Sequence, residues 1–273
     1  MTEPLATFRG VRGSMPVSGP HTNRYGGHTI CIDIDAGAPA RVLIDAGTGI
    51  ALVHNDGSPN DVSDYHVFFT HYHWDHIQGL LFFQPLYESA NSFTFYGHRW
   101  GEMDSREAIE GALRPPWFPV PIEETAARKR YVTIGRAALQ VGSLHIAAAP
   151  LSHPQGVTAY RIDGPNRSMV IATDSERGDE AADATLRELA AGADVLVHDA
   201  QYSPEEYETR RIGWGHSTWS QAAEAAHAVG AKELILVSHD PHRTDDEIDE
   251  FVAGARETFR ATRAAYEGMQ IEL

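Results

Sequence analysis

Thr70-His71-Tyr72-His73-Trp74-Asp75-His76 is the stretch on which the reading of this chain turns. Three imidazoles and a carboxylate fall within six positions, directly after the apolar run Tyr65-His66-Val67-Phe68-Phe69. The pattern predicts a buried strand that ends in a turn crowded with metal ligands. Neutral imidazole and carboxylate suit zinc and its borderline neighbours, and two pairs of ligands this close can serve two metal ions. A histidine-rich surface turn is the alternative, and the apolar strand in front of the motif argues against it.

The rest of the composition is compatible with such a centre. The 273 residues, 42% of them hydrophobic, can bury a large core, and no linker, low-complexity stretch or repeat divides them. Residues 1–273 are therefore expected to form a single domain. The start, Met1-Thr2-Glu3-Pro4-Leu5, lacks the basic and apolar segments of a signal peptide, and no stretch has the apolar length of a membrane span. A soluble, cytoplasmic protein without membrane contact is expected. The single cysteine, Cys31, excludes an internal disulfide. A formal charge of −16, carried in clusters such as Asp179-Glu180, Glu205-Glu206 and Asp245-Asp246-Glu247, opposes binding of long nucleic acid. It leaves room for a small anionic substrate, because a dimetal centre supplies local positive charge.

Short β-rich runs alternate with helical patterns, which predicts an α/β architecture. Strands are expected over Thr29–Ile34 and Arg41–Ile44, with a turn at Gly37 and Pro39 between them, and helices over Asp179–Ala191, Trp219–Val229 and Asp245–Arg260. Thr218 with Gln221, and Thr244 with Glu247, have capping-box spacing ahead of the last two. Arg114-Pro115-Pro116-Trp117-Phe118-Pro119-Val120-Pro121 is too proline-rich for helix or central strand, and its two aromatics suit a packed connection or the wall or lid of a pocket.

Five apolar runs end in a residue able to bind metal or move a proton: His71, His153, Asp174, Asp199 and His239. Ligands gather beyond the carboxyl ends of strands in α/β sheets, so these residues can converge. If they do, His71, His73 and His153 serve one metal, Asp75, His76 and His239 the second, and Asp174 bridges both through its two oxygens. A water or hydroxide between two cations becomes a nucleophile near neutral pH, and Asp75 is placed to orient it or take its proton. Gly213-Trp214-Gly215-His216-Ser217-Thr218 puts His216 just ahead of a helix, where it suits a general acid held by Asp199. The remaining histidines, among them His28, His54, His66, His98 and His198, are expected in structural or surface roles.

In these residues the chain resembles the metallo-β-lactamase-fold superfamily, whose hallmark is the His-x-His-x-Asp-His pattern of His71 to His76. It is most similar to the branch of ribonuclease Z and small phosphodiesterases. Further matches are Gly10-Val11-Arg12-Gly13-Ser14, Arg24-Tyr25-Gly26-Gly27-His28-Thr29, Leu43-Ile44-Asp45-Ala46-Gly47, Ala172-Thr173-Asp174, Val197-His198-Asp199-Ala200, Gly215-His216-Ser217-Thr218 and Ser238-His239. The resemblance implies a four-layer αββα sandwich with a dimetal site at one edge, zinc in first place with manganese or iron as alternatives, and it is consistent with a homodimer. Arg12, Ser14, Tyr25 and Thr29 match the family's glycine-rich segment and are candidates to approach the substrate or to build the turn.

The departures narrow the expectation. Cys31 precedes the hallmark motif, so the later cysteine ligand of many β-lactamases has no counterpart, and His73 stands where the diiron branch carries an acidic ligand. His153 and Asp174 are too close in sequence to enclose the arm with which ribonuclease Z grips transfer RNA, and Asp199 replaces a glutamate common there. The expected function is a dimetal-dependent phosphodiesterase acting on a small phosphodiester such as a cyclic nucleotide. The alternatives are hydrolysis of a carboxylic ester, thioester or lactone, and a non-catalytic metal-binding or sensory protein of the same fold.

Overall fold

Strands that are apolar on both faces need cover on both sides, and this chain supplies it with two sheets back to back and helices outside them. The computed structural model describes residues 3–53, 62–135 and 137–273; His54 lies outside them. In chain order the first half runs β1 (Leu5–Gly10), β2 (Cys31–Asp35), β3 (Ala40–Ile44), β4 (Asp64–Phe68), α1 (Trp74–Ile77), β5 (Ser92–Gly97), α2 (Ser105–Ala112) and β6 (Arg128–Thr133). The second half runs β7 (Leu139–Val141), β8 (Leu144–Leu151), β9 (Val157–Asp163), β10 (Ser168–Ala172), α3 (Glu180–Leu189), β11 (Val195–Asp199), α4 (Pro204–Glu206), α5 (Trp219–Val229), β12 (Glu233–Val237), α6 (Asp245–Thr258), β13 (Thr262–Ala264) and β14 (Gln270–Glu272).

Two seven-stranded sheets result, ordered β14-β1-β2-β3-β4-β5-β6 and β13-β12-β11-β10-β9-β8-β7. Both change from antiparallel to parallel pairing part-way across, at β3 in the first and β10 in the second. Parallel neighbours need crossovers, and α3, α5 and α6 provide them in the second sheet. The two-residue period of a strand sorts side chains between layers. Ile32, Ile34, Ile44 and Phe68 pack inward against Tyr160, Ile171, Val197 and Ile235 of the other sheet. Their neighbours face outward: Leu43, Val67 and Phe95 pack with Ile77 and Ile109, and Val170, Leu196 and Leu236 with Ala222, Ala226 and Val252. This is the expected αββα sandwich.

Local signals held where capping chemistry fixes a boundary. Thr218 and Gln221 form a reciprocal capping box at α5, as do Thr244 and Glu247 at α6, each pair satisfying otherwise orphaned N–H groups. The expected strand from Thr29 begins only at Cys31, because the Thr29 backbone is paired outside the β1–β2 ladder: its N–H donates to the Thr48 hydroxyl and its carbonyl accepts from the Gly49 N–H. In the proline-rich segment Phe118 packs edge-on against Phe82, with ring centroids 5.3 Å apart. Trp117 is largely exposed, and both aromatics line an apolar cavity beside the metal cavity described below. Among the described residues no helix is long and apolar enough to cross a membrane.

Candidate metal centre

The hallmark residues follow β4 of the first sheet, and the turns after β8 and β10 and the last residue of β11 in the second bring His153, Asp174 and Asp199 to the same edge. Among the described residues three groups of side chains bring candidate ligand atoms within 4.8 Å of one another: His71, His73 and His153; His71, His76 and Asp174; and Asp174, Asp199 and His216. Residues up to 145 positions apart in the chain thus meet at one place, His71 and His216 being the extremes.

Each imidazole is aimed by a hydrogen bond to its other nitrogen, as expected of metal-ligating histidines. Asp45 Oδ2 lies 2.7 Å from His76 Nδ1, which turns His76 Nε2 toward Asp174 Oδ2 at 3.2 Å. The Gly215 carbonyl accepts from His153 Nδ1 at 2.7 Å and leaves Nε2 facing His73 Nδ1 at 3.2 Å. Gln155 Oε1 holds His73 by its Nε2 at 2.8 Å. His71 Nε2 is buried and has no hydrogen-bond partner, although Asp174 Oδ2 is only 3.9 Å away. A buried orphan nitrogen among inward-facing imidazoles is what a cation would satisfy.

Charge leads to the same conclusion. The carboxylates of Asp45, Asp75 and Asp174 surround His76. Burial disfavours the His76 cation, yet Asp174, Asp75 and Asp45 overcome this and raise its pKa well above the ordinary value. An imidazole driven to hold a proton by three buried carboxylates marks a place that calls for positive charge. The nitrogen and oxygen donors fit divalent metal ions. We expect Asp45→Asn, which keeps the shape but not the charge behind His76, to weaken metal affinity by about 10- to 100-fold in competition with a chromophoric chelator.

Asp174 is held differently from the expected two-oxygen bridge. Its Oδ1 accepts from the hydroxyls of Thr173, at 2.7 Å, and Ser238, at 2.9 Å. Only Oδ2 faces His71 and His76, so a bridge would run through that single oxygen. Asp75 Oδ2 lies 3.3 Å from His76 Nε2 and accepts the Ser14 N–H at 2.7 Å. His239 departs from the expectation. Its Nε2 donates to the Ala265 carbonyl at 2.9 Å, its ring packs edge-on to Tyr25, and it joins none of the three groups. A fully buried ring needs a partner for its N–H, and the carbonyl after β13 supplies it, while the neighbouring Ser238 reaches Asp174.

His216 stands across the centre, its Nδ1 2.7 Å from Asp199 Oδ2. Asp199 also accepts the Ser217 N–H at 2.7 Å. Burial works against a charged His216, but Asp199 and Asp174 outweigh it and hold its pKa at about 9, while burial lifts Asp199 to about 6. The order of these values places the proton on the imidazole at neutral pH. Gly215 serves the ligand turn more than the substrate: at φ +89° a Cβ there would lie 2.3 Å from His153 Nδ1. The groups open onto a cavity of about 600 Å³ walled by Tyr72, Trp74, His98, Trp100 and Met103.

The four glycine-segment candidates separate. Ser14 lines this cavity. Arg12 does not: it is fully buried and donates to the carbonyls of Gly26, Asp240 and Arg243, pinning the N-terminal loop to the start of α6. Tyr25 donates its hydroxyl to Asp249, and Thr29 is buried against Thr48, so both build the turn rather than the cavity. Sequence reasoning assigned no role to Asp45, Gln155 or the Thr173 and Ser238 hydroxyls. Asp45 had a signal, an acidic residue just past β3 inside a motif already singled out, whereas Gln155 had none.

The sequence profile of the β-lactamase superfamily domain matches residues 40–239. The chain belongs to that superfamily. Its relatives include the ribonuclease Z of Myxococcus xanthus, 26% identical over 98% of this chain and 97% of that protein. The ribonuclease BN of Erwinia tasmaniensis is 25% identical over 88% of this chain and 91% of its own length. In the fold this member of the superfamily is similar to the metallo-β-lactamase fold protein YhfI from Bacillus subtilis, with a TM-score of 0.76 at 19% identity and full coverage of both chains. It is also similar to a diphosphatase of the PhnP family, with a TM-score of 0.73 at 18% identity over 99% of this chain and 98% of that one.

Proposed function

We propose that the protein is a metal-dependent hydrolase that cleaves a compact phosphodiester, the class that includes cyclic nucleotides. The observation that carries this reading is His216, paired with buried Asp199 and facing the same cavity as the inward-turned ligand set. His71, His73, His153 and Asp174 would hold one divalent ion and Asp75, His76 and Asp174 a second, with zinc as the first choice for this mixture of imidazole and carboxylate. When bound, two such ions supply an acidified water and neutralise charge on the phosphoryl oxygens. Asp75, its Oδ2 fixed by the Ser14 N–H, takes the proton of the attacking water. As the phosphorus–oxygen bond to the leaving group breaks, His216 Nε2 donates its proton to the departing oxygen, and Asp199 stabilises and orients the ring through Nδ1.

Several features of the molecule support a compact substrate. Between His153 and Asp174 the chain holds only β9, β10 and their short turns. No lysine or arginine lines the metal cavity among the described residues, so a long polyphosphate chain has no cation beyond the centre itself.

The test is metal analysis of purified protein followed by turnover of bis(p-nitrophenyl) phosphate, cyclic nucleotides and aryl carboxylic esters by wild type and Asp75→Ala. Two bound metals with diester hydrolysis, lost by at least about 100-fold in Asp75→Ala, is the expected result. Two metals with ester hydrolysis alone would move the reaction to carbonyl chemistry, and failure to take up metal would end the hydrolase reading.

A further inference from the structure

Trp74 stands between two cavities. On one side is the metal cavity of about 600 Å³, and on the other an apolar cavity of about 400 Å³ whose wall includes Trp74, Leu81, Phe82, Leu113, Trp117 and Phe118. Both volumes are within the range that takes small organic groups. Trp74 opens α1 between His73 and Asp75, so its indole is carried by the ligand turn itself. Large apolar side chains are exposed together here, Trp74 at 50%, Phe82 at 67% and Trp117 at 69%. Clustered exposure of this kind marks a binding surface more often than scattered single residues do. Among the described residues neither cavity is lined by a lysine or arginine, so a second phosphate group would meet no cation there.

We propose that the second cavity is the subsite for an apolar ester arm, which passes over Trp74 from the phosphodiester held at the metal centre. The substrate class is then a single-phosphate diester with an alkyl or aryl arm rather than a nucleotide. The inference rests on the phosphodiesterase reading above and narrows it. Burial of the arm makes each added methylene worth up to about fourfold in kcat/KM where it is fully buried, until the cavity is filled.

The experiment compares p-nitrophenyl phosphodiesters whose second ester is methyl, butyl or octyl, and 3′,5′-cyclic nucleotides, on metal-loaded wild type, Phe82→Ala and Trp117→Ala. Calorimetry with dimethyl and dibutyl phosphate gives affinity without turnover. Wild type is expected to gain at least about tenfold in kcat/KM from methyl to octyl and to bind dibutyl phosphate more tightly. Both variants, altered in exposed side chains outside the metal cavity, should lose most of that gain and leave the methyl diester unchanged. Equal turnover of methyl and octyl diesters, an undiminished gain in both variants, or cyclic nucleotides outrunning the octyl diester would overturn the apolar-arm subsite while the phosphodiesterase reading stands. No turnover of any diester by protein carrying two metals would overturn both.

Discussion

Replacing His216 by alanine is expected to lower kcat for diesters with alkoxide leaving groups by about 10²- to 10⁴-fold, with both metal equivalents retained. Metal retention follows from the geometry: His153, a proposed ligand, is oriented by the Gly215 carbonyl, not by the His216 side chain. The fold should tolerate the change, since Asp199 keeps the Ser217 and Gln201 N–H groups as donors. Leaving-group dependence separates proton donation from mere positioning. An alkoxide departs badly without a proton, whereas p-nitrophenolate hardly needs one, so the variant should be much less impaired on p-nitrophenyl diesters. Asp199→Asn should show the same dependence in weaker form, because it removes the charge that stabilises the imidazolium. Equal losses for both leaving groups would assign His216 to binding or to structure instead.

Phe68→Ala is expected to destabilise the protein by about 3–5 kcal/mol, the cost of deleting a fully buried aromatic from a packed core. Phe68 closes β4 at the interface between the sheets, where its ring stacks on Tyr96 at 4.2 Å and meets Tyr160 edge-on at 5.6 Å. Tyr160 in turn donates its hydroxyl to the Phe69 carbonyl, tying β9 to the residue that leads into the ligand turn. The cavity has little means of collapse, because both sheets are fixed by ladders on either side. Urea unfolding followed by tryptophan fluorescence reads the effect as a lower midpoint at unchanged slope. A shift equivalent to less than about 1 kcal/mol would mean that the sheets repack around the missing ring.

Much of the centre was legible because it obeys short-range rules. Imidazoles and a carboxylate crowded after an apolar strand, and further polar residues ending later strands, are visible in one dimension. So were the capping boxes of α5 and α6, where side-chain and backbone partners are three residues apart. The losses came where orientation matters more than position. Nothing in Ser238-His239 reveals that the serine would reach Asp174 while the histidine turned to Ala265. Arg12 sits in a glycine-rich loop as a substrate contact would, yet its guanidinium is buried among three carbonyls from distant segments. Trp117 and Phe118 suggested a pocket wall, but which cavity they line depends on where α1 and α2 pack.

The sequence by itself determined that this chain makes a metal-binding α/β sandwich, because ligand chemistry and strand periodicity are properties of residue types and their spacing. Only the tertiary structure decided which nitrogen of each histidine faces the centre, that Asp174 presents one oxygen rather than two, and that Trp74 lines both the metal cavity and the apolar cavity beside it. The reason is physical. A hydrogen bond or a cavity wall is completed by groups from other elements, and the ring of His76 is aimed by Asp45, 31 residues away, through a contact that exists only once the strands have packed.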